Sequence, residues 1–382
     1  MTYHSFFGVV RDYEPQRTDH KEEAERLLAT GRYRPIKLRL RPVRALLLDD
    51  ISLVPAANLS VMFELLSIVQ SDVRLCLWFA FGDRLQLGPI KGKMALTAPC
   101  WRTLFANSFI ELAGTFRQRD PSVIRAVRDA RVGNCSEAVE QLVQNYWVEG
   151  SKYQKNVDIL HLMPRHKDVV RHNRECFARL SPGTPPKLST AVESLVLDPD
   201  RDMTRKSPRL EDVSMKSRMA ALADRVAQPE LAHCLQARVM VIVNRKKELG
   251  VCHGSIGFIV GYGMHGNPIR GSRGLHDAGD TWIELACPSV QFTARVLSAP
   301  GVLVVRMQVP LVLGWASTIP ISQSLSISEA VLDLSEFFEA GMVHTAMSWV
   351  PVKTKLHIKS FAPSRLFANP CAVKMYDECR QL

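Results

Sequence analysis

The sequence predicts an α/β protein built on mainly parallel sheets, with a small β-barrel in its second half. Short apolar runs end in small or acidic residues, which is typical of strands buried on both faces of a parallel sheet. Between the first two of these runs lies a stretch with helical spacing. A strand, a helix and a strand in that order indicate a right-handed parallel crossover.

Three apolar runs predict the first strands, at residues 43–48, 73–81 and 109–112. The amphipathic stretch 57–69 predicts the helix between the first two strands. Functional groups of such sheets gather at the carboxyl ends of the strands. The polar residues at or just beyond those ends are Asp49, Asp50, Asp83 and Gln86.

The rest of the chain alternates between helical and strand-like patterns. We expect a helix over 121–148, a strand over 157–163 and a helix around 169–180. Residues 181–211 are rich in proline, serine and charge, which predicts an irregular insertion. Short β-rich runs between 237 and 313, separated by glycine and proline turns, predict the small barrel.

The composition is that of a globular chain with a basic excess. Its 382 residues are 46% hydrophobic and 23% charged, which excludes collagen and argues against disorder, and the length predicts two or three domains. The formal net charge of +11 favours a polyanionic partner such as nucleic acid. Nine cysteines without a C-x-x-C pair indicate reduced thiols, and no apolar stretch resembles a membrane span or signal peptide, so we expect an intracellular protein.

An apolar strand that delivers two adjacent carboxylates is what a nucleotide hydrolase needs. In the segment 46–52 (LLLDDIS), Asp49 would hold Mg²⁺ and Asp50 would orient or deprotonate the attacking water. An acidic turn after a strand explains the same residues equally well. The next strand ends in GDRLQL (82–87), which would place Gln86 one layer away, although this spacing alone is not specific.

The order of three segments in the first part of the chain resembles motifs of superfamily 1B DNA helicases. They are LLLDDISLV (46–54), FGDRLQLGPI (81–90) and TFRQRDPSVIRAVRDARVGN (115–134), which look like motifs II, III and IV. The similarity is closest to the petite-integration-frequency (Pif-type) family, with RecD as a more distant relative. Residues 2–8 (TYHSFFG) look like motif Ia of that family.

The resemblance continues to the end of the chain. Residues 237–244 with 254–262 are similar to the entry of the second motor domain and its inserted barrel. Residues 309–327 resemble motif V, 343–350 resemble motif VI, and 360–376 resemble the closing segment of the family. The motifs stand in the family order and cover nearly the whole chain.

The resemblance implies a two-lobed motor in which each lobe is a RecA-like sheet of the P-loop NTPase fold, with ATP between the lobes. It places a partial first lobe at 1–114 and the start of the second lobe at 115–245, with the irregular insertion at 181–211. The small β-barrel would occupy 246–308 and the end of the second lobe 309–382.

The resemblance also implies roles at the nucleotide. Asp49 would bind Mg²⁺, and Asp50 would stand at the position of the catalytic glutamate of the family. Gln86 and Arg117 would sense the γ-phosphate of ATP, where an arginine neutralises charge in the transition state. Gln323 would contact the nucleotide as well. A salt-bridged surface arginine is the alternative for Arg117.

The expected partner is single-stranded DNA or a DNA junction, bound by a monomer without a membrane. The resemblance places His4, Ser5 and Ser322 on the DNA track, and Lys246 and Lys247 could follow a phosphate backbone. An N-terminal turn that packs two phenylalanines is the alternative for His4 and Ser5. Family members act in replication, repair or recombination, which implies a nuclear or mitochondrial location, with the cytoplasm as an alternative.

The sequence departs from the family at phosphate-binding positions. The loop G-x-x-x-x-G-K-[ST], which cradles phosphates, does not occur in it, so we expect a chain truncated at its amino end. Trp349 replaces the arginine finger of motif VI, Ile321 replaces a lysine of motif V, and Asp50 is one methylene shorter than glutamate.

These departures predict an ATP-dependent 5′-to-3′ DNA helicase homologue with impaired ATP hydrolysis, and they argue against tight ATP binding. The alternative is a non-catalytic pseudo-helicase or scaffold that binds single-stranded nucleic acid.

A basic run, RYRPIKLRLRPVR (32–44), carries six basic residues and no acidic one. In an extended segment, the alternating Lys37, Arg39 and Arg41 would point one face at a polyanion. A solvated charged edge that discourages strand pairing is an equally good interpretation.

Overall fold

A computed structural model of the chain describes residues 2–9, 19–70, 76–105, 108–112, 114–148, 159–180, 185–198, 209–222, 227–244, 251–264, 266–273, 282–296, 298–322, 327, 329–349 and 355–380. Contacts between Cα atoms divide the chain into two units. Unit 1 comprises Met1–Trp147, Leu334–Thr354 and Ser360–Leu382, and unit 2 comprises Val148–Asp333 and Lys355–Lys359.

The helices and strands are numbered here in chain order. The α-helices are α1 (Tyr3–Phe7), α2 (His20–Leu28), α3 (Arg34–Leu40), α4 (Ala56–Gln70), α5 (Trp101–Phe105), α6 (Pro121–Arg131), α7 (Glu137–Asn145), α8 (His166–Leu180), α9 (Met215–Leu222), α10 (Ile319–Ser322), α11 (Met342–Ser348) and α12 (Pro370–Arg380). The strands are β1 (Ala45–Leu48), β2 (Leu77–Ala80), β3 (Leu160–Met163), β4 (Lys187–Thr190), β5 (Val192–Leu197), β6 (Glu230–His233), β7 (Arg238–Val241), β8 (Ile256–Tyr262), β9 (Pro268–Arg273), β10 (Trp282–Ala286), β11 (Val290–Arg295), β12 (Val302–Gln308), β13 (Leu311–Leu313), β14 (Ala316–Thr318), β15 (Ala330–Asp333) and β16 (Leu356–Ser360). Among the described helices, none is long and apolar enough to cross a membrane.

Unit 1 contains the predicted parallel crossover. Strands β1 and β2 pair in parallel with Ala45 opposite Leu77, and α4 connects them. Helix α4 is apolar on most of its surface, with Leu59 and Leu65 fully buried, as expected of a helix that lies inside a core. The crossover brings the carboxyl ends of both strands to the same edge of the sheet, so the prediction of a parallel pair is confirmed.

The pair β1–β2 is covered on one face and exposed on the other. Leu46 on β1 is 8% exposed and packs in the core of unit 1, whereas Leu47 beside it is 67% exposed. On β2, Leu77 and Phe79 are exposed in the same alternation. Within the described residues, these strands are therefore buried on a single face.

The second unit combines parallel and antiparallel sheets. Strand β3 pairs in parallel with β14 and β15, in the order β14-β3-β15-β16. The predicted short β-runs form a five-stranded sheet, β10-β9-β8-β7-β13, and contribute two strands to a three-stranded sheet, β11-β12-β5. Strands β4 and β6 pair antiparallel. Trp315 is 2% exposed and belongs to the core of this unit.

Several local predictions were wrong for reasons that the structure shows. Residues 109–112 form no strand, because Ile110 and Leu112 are exposed and find no strand to pair with among the described residues. The helix over 121–148 divides into α6 and α7 at Gly133. This glycine has φ of 77°, and a Cβ there would lie 2.7 Å from the backbone N of Ala368.

The predicted irregular insertion contains β4 and β5, which pair with β6 and β12. These partners are distant in sequence, and local composition carries no signal for them.

The basic run is helical rather than extended. Tyr33, Ile36 and Leu40 recur at helical spacing and are buried in the core of unit 1, and Pro35 stands in the first turn of α3. Because a helix places residues two apart on different faces, Lys37 and Arg39 do not share a face. The predicted alternation of Lys37, Arg39 and Arg41 along an extended segment is therefore wrong.

The contrast between Leu46 and Leu47 gives a matched test of the fold. We expect Leu46→Ala to lower the free energy of unfolding by roughly 2–4 kcal/mol, because it leaves a cavity in a packed core. Leu47→Ala should change it by about 0.5 kcal/mol or less, because Leu47 is exposed. Urea unfolding followed by circular dichroism measures both, and equal effects of the two substitutions would contradict the covered face assigned to β1.

Candidate functional site

The carboxyl ends of β1 and β2 are joined by backbone hydrogen bonds. Phe81 N donates to Leu48 O at 2.7 Å, and Ile51 N donates to Phe81 O at 2.9 Å. Gly82 has φ of 136°, and a Cβ there would lie 3.0 Å from Ile51 N. A glycine is needed at this close approach. The structure therefore brings the Asp49-Asp50 segment and the GDRLQL segment together, as the parallel crossover predicts.

The two adjacent carboxylates differ in their surroundings. Asp50 adopts a left-handed conformation (φ 51°, ψ 46°), and its backbone N donates to Asp49 Oδ1 at 3.0 Å. Partial burial, and secondarily the charge of Asp49, raise the pKa of Asp50, while the Arg117 guanidinium opposes this shift. A carboxylate with a raised pKa is a better proton acceptor. Asp49 is exposed, and Asp50, although partly buried, remains accessible to solvent and to a ligand.

A network centred on Asp83 holds the loop that carries Gln86. The Asp83 carboxylate accepts hydrogen bonds from Arg131 Nε at 2.8 Å and Arg131 Nη2 at 2.9 Å, and from Tyr376 Oη at 3.3 Å. Its Oδ1 also accepts from Leu85 N at 3.0 Å, and its backbone O accepts from Gln86 N at 3.1 Å. One side chain thus fixes the turn that positions Gln86, which is half-buried.

The charge of Asp83 is stabilised by its partners. Burial acts to raise the pKa of Asp83, but the hydrogen bond and charge of Arg131, with smaller contributions from His344 and Leu85 N, lower it overall. Asp83 is therefore ionised at neutral pH.

Helix α11, in the segment that resembles motif VI, packs against the same loop. All of its residues are buried. Leu87 N donates to Thr345 Oγ1 at 3.0 Å, and Thr345 Oγ1 donates to Gly341 O at 2.7 Å. Gly341 has φ of 74°, and a Cβ there would clash with the Leu85 carbonyl oxygen. The motif III and motif VI segments are thus interlocked within unit 1.

Arg117 and its neighbour reach the end of that helix. Arg117 Nη1 donates to Ser348 O at 3.3 Å, and Gln118 Nε2 donates to the same oxygen at 2.5 Å. Trp349, which follows, is 4% exposed. Arg117 itself is exposed, and its charge is felt by Asp50. Asp49, Asp50, Gln86 and Arg117 therefore all lie in unit 1, around the ends of β1 and β2 and of α11.

The predicted DNA-track residues near the amino end lie in α1. The His4 ring stacks on Tyr3, with ring centroids 3.8 Å apart, and Ser5 is exposed. Arg39 Nη1 donates to Ser5 O at 2.7 Å and to Phe6 O at 3.1 Å, so a guanidinium caps the end of this short helix.

The remaining predicted contacts fall in unit 2 or outside the description. Ser322 is fully buried, and its Oγ donates to Thr318 O at 3.1 Å. Gln323, Lys246 and Lys247 lie outside the described residues. Their roles stay predictions.

Sequence reasoning missed the residues that support the site. Arg131, His344, Thr345 and Tyr376 meet the Asp83 loop from positions 48 to 293 residues away along the chain. Arg84 adds cation–π contacts, with its Cζ 4.9 Å from the Trp101 ring centroid. No local spacing signals such partners.

Comparison with known proteins finds relatives of this chain among DNA helicases. No family model matches the chain. The ATP-dependent DNA helicase PIF1 of Emericella nidulans is 23% identical over 98% of the chain and 54% of the relative. PIF1 of Homo sapiens is 25% identical over 88% of the chain and 49% of the relative. The chain is similar to Pif1-type helicases over most of its length. It spans about half the length of these curated relatives.

Solved structures of Pif1 helicases have the same fold. The likeness to Pif1 helicase from Candida albicans covers 99% of this chain and 85% of that chain, with a TM-score of 0.77 and 19% identity. For Bacteroides Pif1 bound to ssDNA the coverage is 99% and 83%, with a TM-score of 0.66 and 19% identity. The likeness concerns the fold, and it confirms the predicted RecA-like α/β architecture of this chain.

The Asp83 network predicts a large effect of a small substitution. We expect Asp83→Asn to lower the free energy of unfolding by roughly 2–3 kcal/mol, because it leaves the largely buried Arg131 without its bidentate partner. Asp377→Asn is the matched control, because Asp377 is exposed and lies 3.9 Å from Arg380. It should cost about 0.5 kcal/mol or less. Urea unfolding at neutral pH measures both, and equal midpoints for the two variants would contradict the network.

We expect the buried His344 beside this network to make the free energy of unfolding depend on pH. Burial lowers the pKa of His344 from 6.5 to about 4, and the charge of Arg131 adds to this, whereas Asp83 and the Leu85 backbone act in the opposite direction. Between these two values the unfolded chain binds a proton that the folded chain does not. The free energy of unfolding therefore falls as pH falls through this window.

Between pH 7 and pH 4, the free energy of unfolding of the wild-type chain should fall by roughly 3 kcal/mol more than that of His344→Gln. This amount corresponds to the pKa shift of His344. Urea unfolding at several pH values measures this difference. His166→Gln, at an exposed histidine of α8, serves as the control and should leave the pH profile unchanged. Parallel profiles of the wild-type chain and His344→Gln would show that His344 does not cause the dependence.

Proposed function

We propose that the chain is a Pif1-type ATP-dependent 5′-to-3′ DNA helicase homologue that binds single-stranded DNA and is impaired in ATP hydrolysis. We infer the impairment from Trp349, whose side chain is buried. The motif VI resemblance implies an arginine finger at this position. An indole supplies no positive charge to a transferred phosphoryl group. Loss of an arginine finger costs roughly 10³- to 10⁵-fold in rate in well-studied NTPases.

The neighbouring Arg117 contacts the end of α11 next to Trp349. Its guanidinium donates to the Ser348 carbonyl, next to Trp349, and it lies within electrostatic range of Asp50. This fits the predicted role of Arg117 as a sensor of the γ-phosphate, a role distinct from the missing finger. At the end of α11, the Ser348 carbonyl accepts a hydrogen bond from Arg117, and the indole of Trp349 is buried.

The residues present fit part of an ATP and Mg²⁺ site. The exposed Asp49 carboxylate supplies the oxygen ligand that Mg²⁺ prefers, and Asp50, with its raised pKa, is suited to accept a proton from water. When bound, Mg²⁺ and ATP would supply the phosphoryl group and a charge that offsets its oxygens. The phosphate-cradling loop G-x-x-x-x-G-K-[ST] does not occur in the sequence. The residues that fit the site are therefore those for Mg²⁺ and the attacking water, and not those for the phosphates.

The expected partner follows from the relatives. Solved structures of similar fold include Bacteroides Pif1 bound to ssDNA and two coordinating Pif1 helicases at forked dsDNA. We extend this to single-stranded DNA or junctions on the present chain, with His4 and Ser5 on the track, and to a role in replication, repair or recombination. The lobes at 1–114, 115–245 and 309–382 and the barrel at 246–308 belong to the same proposal.

A non-catalytic scaffold that binds single-stranded nucleic acid is the second candidate. The burial of Trp349 favours it as well, because the same substitution removes the finger. The two candidates predict different rates of ATP hydrolysis by the wild-type chain. Slow hydrolysis that depends on Asp49 supports an impaired motor, and no hydrolysis supports a scaffold.

The test is ATP hydrolysis by the full chain with and without oligo-dT. We expect slow turnover, stimulated by DNA, that Asp49→Ala abolishes because the metal carboxylate is lost. Asp377→Ala, an exposed substitution elsewhere in unit 1, should leave the rate unchanged. A rate of about 1–100 s⁻¹, typical of competent phosphotransferases, would overturn the impairment. A rate unaffected by Asp49→Ala would overturn the nucleotide site.

A further inference from the structure

Helix α3 gathers three basic side chains that were not expected to share a face. Arg34, Lys37 and Arg41 are spaced three and four residues apart, at the amino end, in the middle and directly after the carboxyl end of α3. Residues at this spacing lie on the same side of a helix, one above the other. Since Arg41 keeps helical backbone angles (φ −55°, ψ −44°), it continues the row. We call these three residues the basic stripe.

The buried side of α3 and the side chain of Arg39 are engaged within unit 1, whereas Leu38 is 65% exposed. Ile36 and Leu40 are buried in the core of unit 1, and Arg39 turns to the Ser5 and Phe6 carbonyls of α1. The carboxyl end is held as well, because Gln70 Nε2 donates to Leu40 O at 2.9 Å and to Val43 O at 2.7 Å. The basic stripe is thus a fixed, exposed row on an anchored helix rather than part of a loop.

The basic stripe carries charges that no acid of the described residues pairs with. All three side chains are exposed, and within the described residues none of them forms an ion pair. The sequence carries no acidic residue between Arg32 and Leu48. An exposed helix more commonly intersperses both signs.

Helix α8 of unit 2 shows the ordinary arrangement. It carries Lys167, Arg171 and Arg174 at a similar spacing, and all three are exposed. There, however, Asp168 pairs with Arg171 at 3.1 Å, and Glu175 lies within the same helix. The two helices therefore present the same number of positive charges at similar spacing, but only the charges of α8 are interspersed with acids.

We propose that the basic stripe binds the phosphate backbone of single-stranded DNA, as a contact separate from His4 and Ser5. The proposal rests on the proposed function for its ligand. Long basic side chains in a row suit a run of phosphates, and backbone contacts of this kind carry no base sequence. An anionic membrane is the less suitable partner, because a membrane-surface helix needs a free apolar face, and the apolar face of α3 is buried in the core.

The test measures the affinity of the full chain for fluorescein-labelled oligo-dT by anisotropy over a range of salt concentrations. In the triple variant Arg34→Gln, Lys37→Gln and Arg41→Gln, the slope of log K against log salt should become less steep by about 2, as expected for three lost phosphate contacts. The matched control neutralises Lys167, Arg171 and Arg174 in the same way and should shift the slope by less than half as much. Arg34→Lys with Arg41→Lys keeps the charges and should keep the wild-type slope.

The outcomes separate this proposal from the proposed function. A wild-type chain that does not bind oligo-dT would overturn both. Binding by the wild-type chain with equal slopes for the two triple variants would overturn the basic stripe alone. Unfolding midpoints of the variants show whether α3 stays folded. If the charge-preserving variant also had a less steep slope of log K against log salt, the change would come from altered structure and not from lost charge, and this would overturn the proposal. Binding to phosphatidylserine vesicles that the stripe variant loses, with DNA binding intact, would also overturn the proposal.

Discussion

The Asp83–Arg131 ion pair is the interaction on which the rest of the candidate site depends. A single carboxylate accepts two hydrogen bonds from the guanidinium, one from Tyr376 and one from the backbone of its own turn. It thereby ties the loop after β2 to α6 and α12, and Thr345 ties the same loop to α11. Because both charges are largely removed from solvent, the pair contributes only while the geometry is complete.

This network fixes the loop that carries Gln86. The residues that fix the Gln86 turn are all present, and glycines allow the close backbone approaches at Gly82 and Gly341. Trp349, which stands where the motif VI resemblance implies an arginine finger, is buried in the core. Packing and hydrogen bonding of this kind can hold a fold together whichever side chain stands at position 349, which is compatible with the proposed impairment of ATP hydrolysis.

The limits of sequence reasoning follow from the range of the interactions involved. The crossover β1-α4-β2 and the placement of Asp49, Asp50 and the GDRLQL segment at one edge were predictable, because strand and helix periodicity are local signals. Strands β4 and β5 were missed because their pairing partners lie far along the chain. The basic run was misjudged because alternating charges suggested a strand, whereas the apolar spacing of Tyr33, Ile36 and Leu40 decided for a helix.

The sequence by itself determined the order of the motifs, the class of fold and the identity of the residues that depart from the family, since each is written in neighbouring positions. Only the tertiary structure decided that Trp349 is buried, that Arg117 meets the end of α11 and that Asp83 rather than Gln86 organises the motif III loop. These depend on contacts across more than 40 residues of chain, whose formation depends on the packing of the whole unit and not on any local pattern.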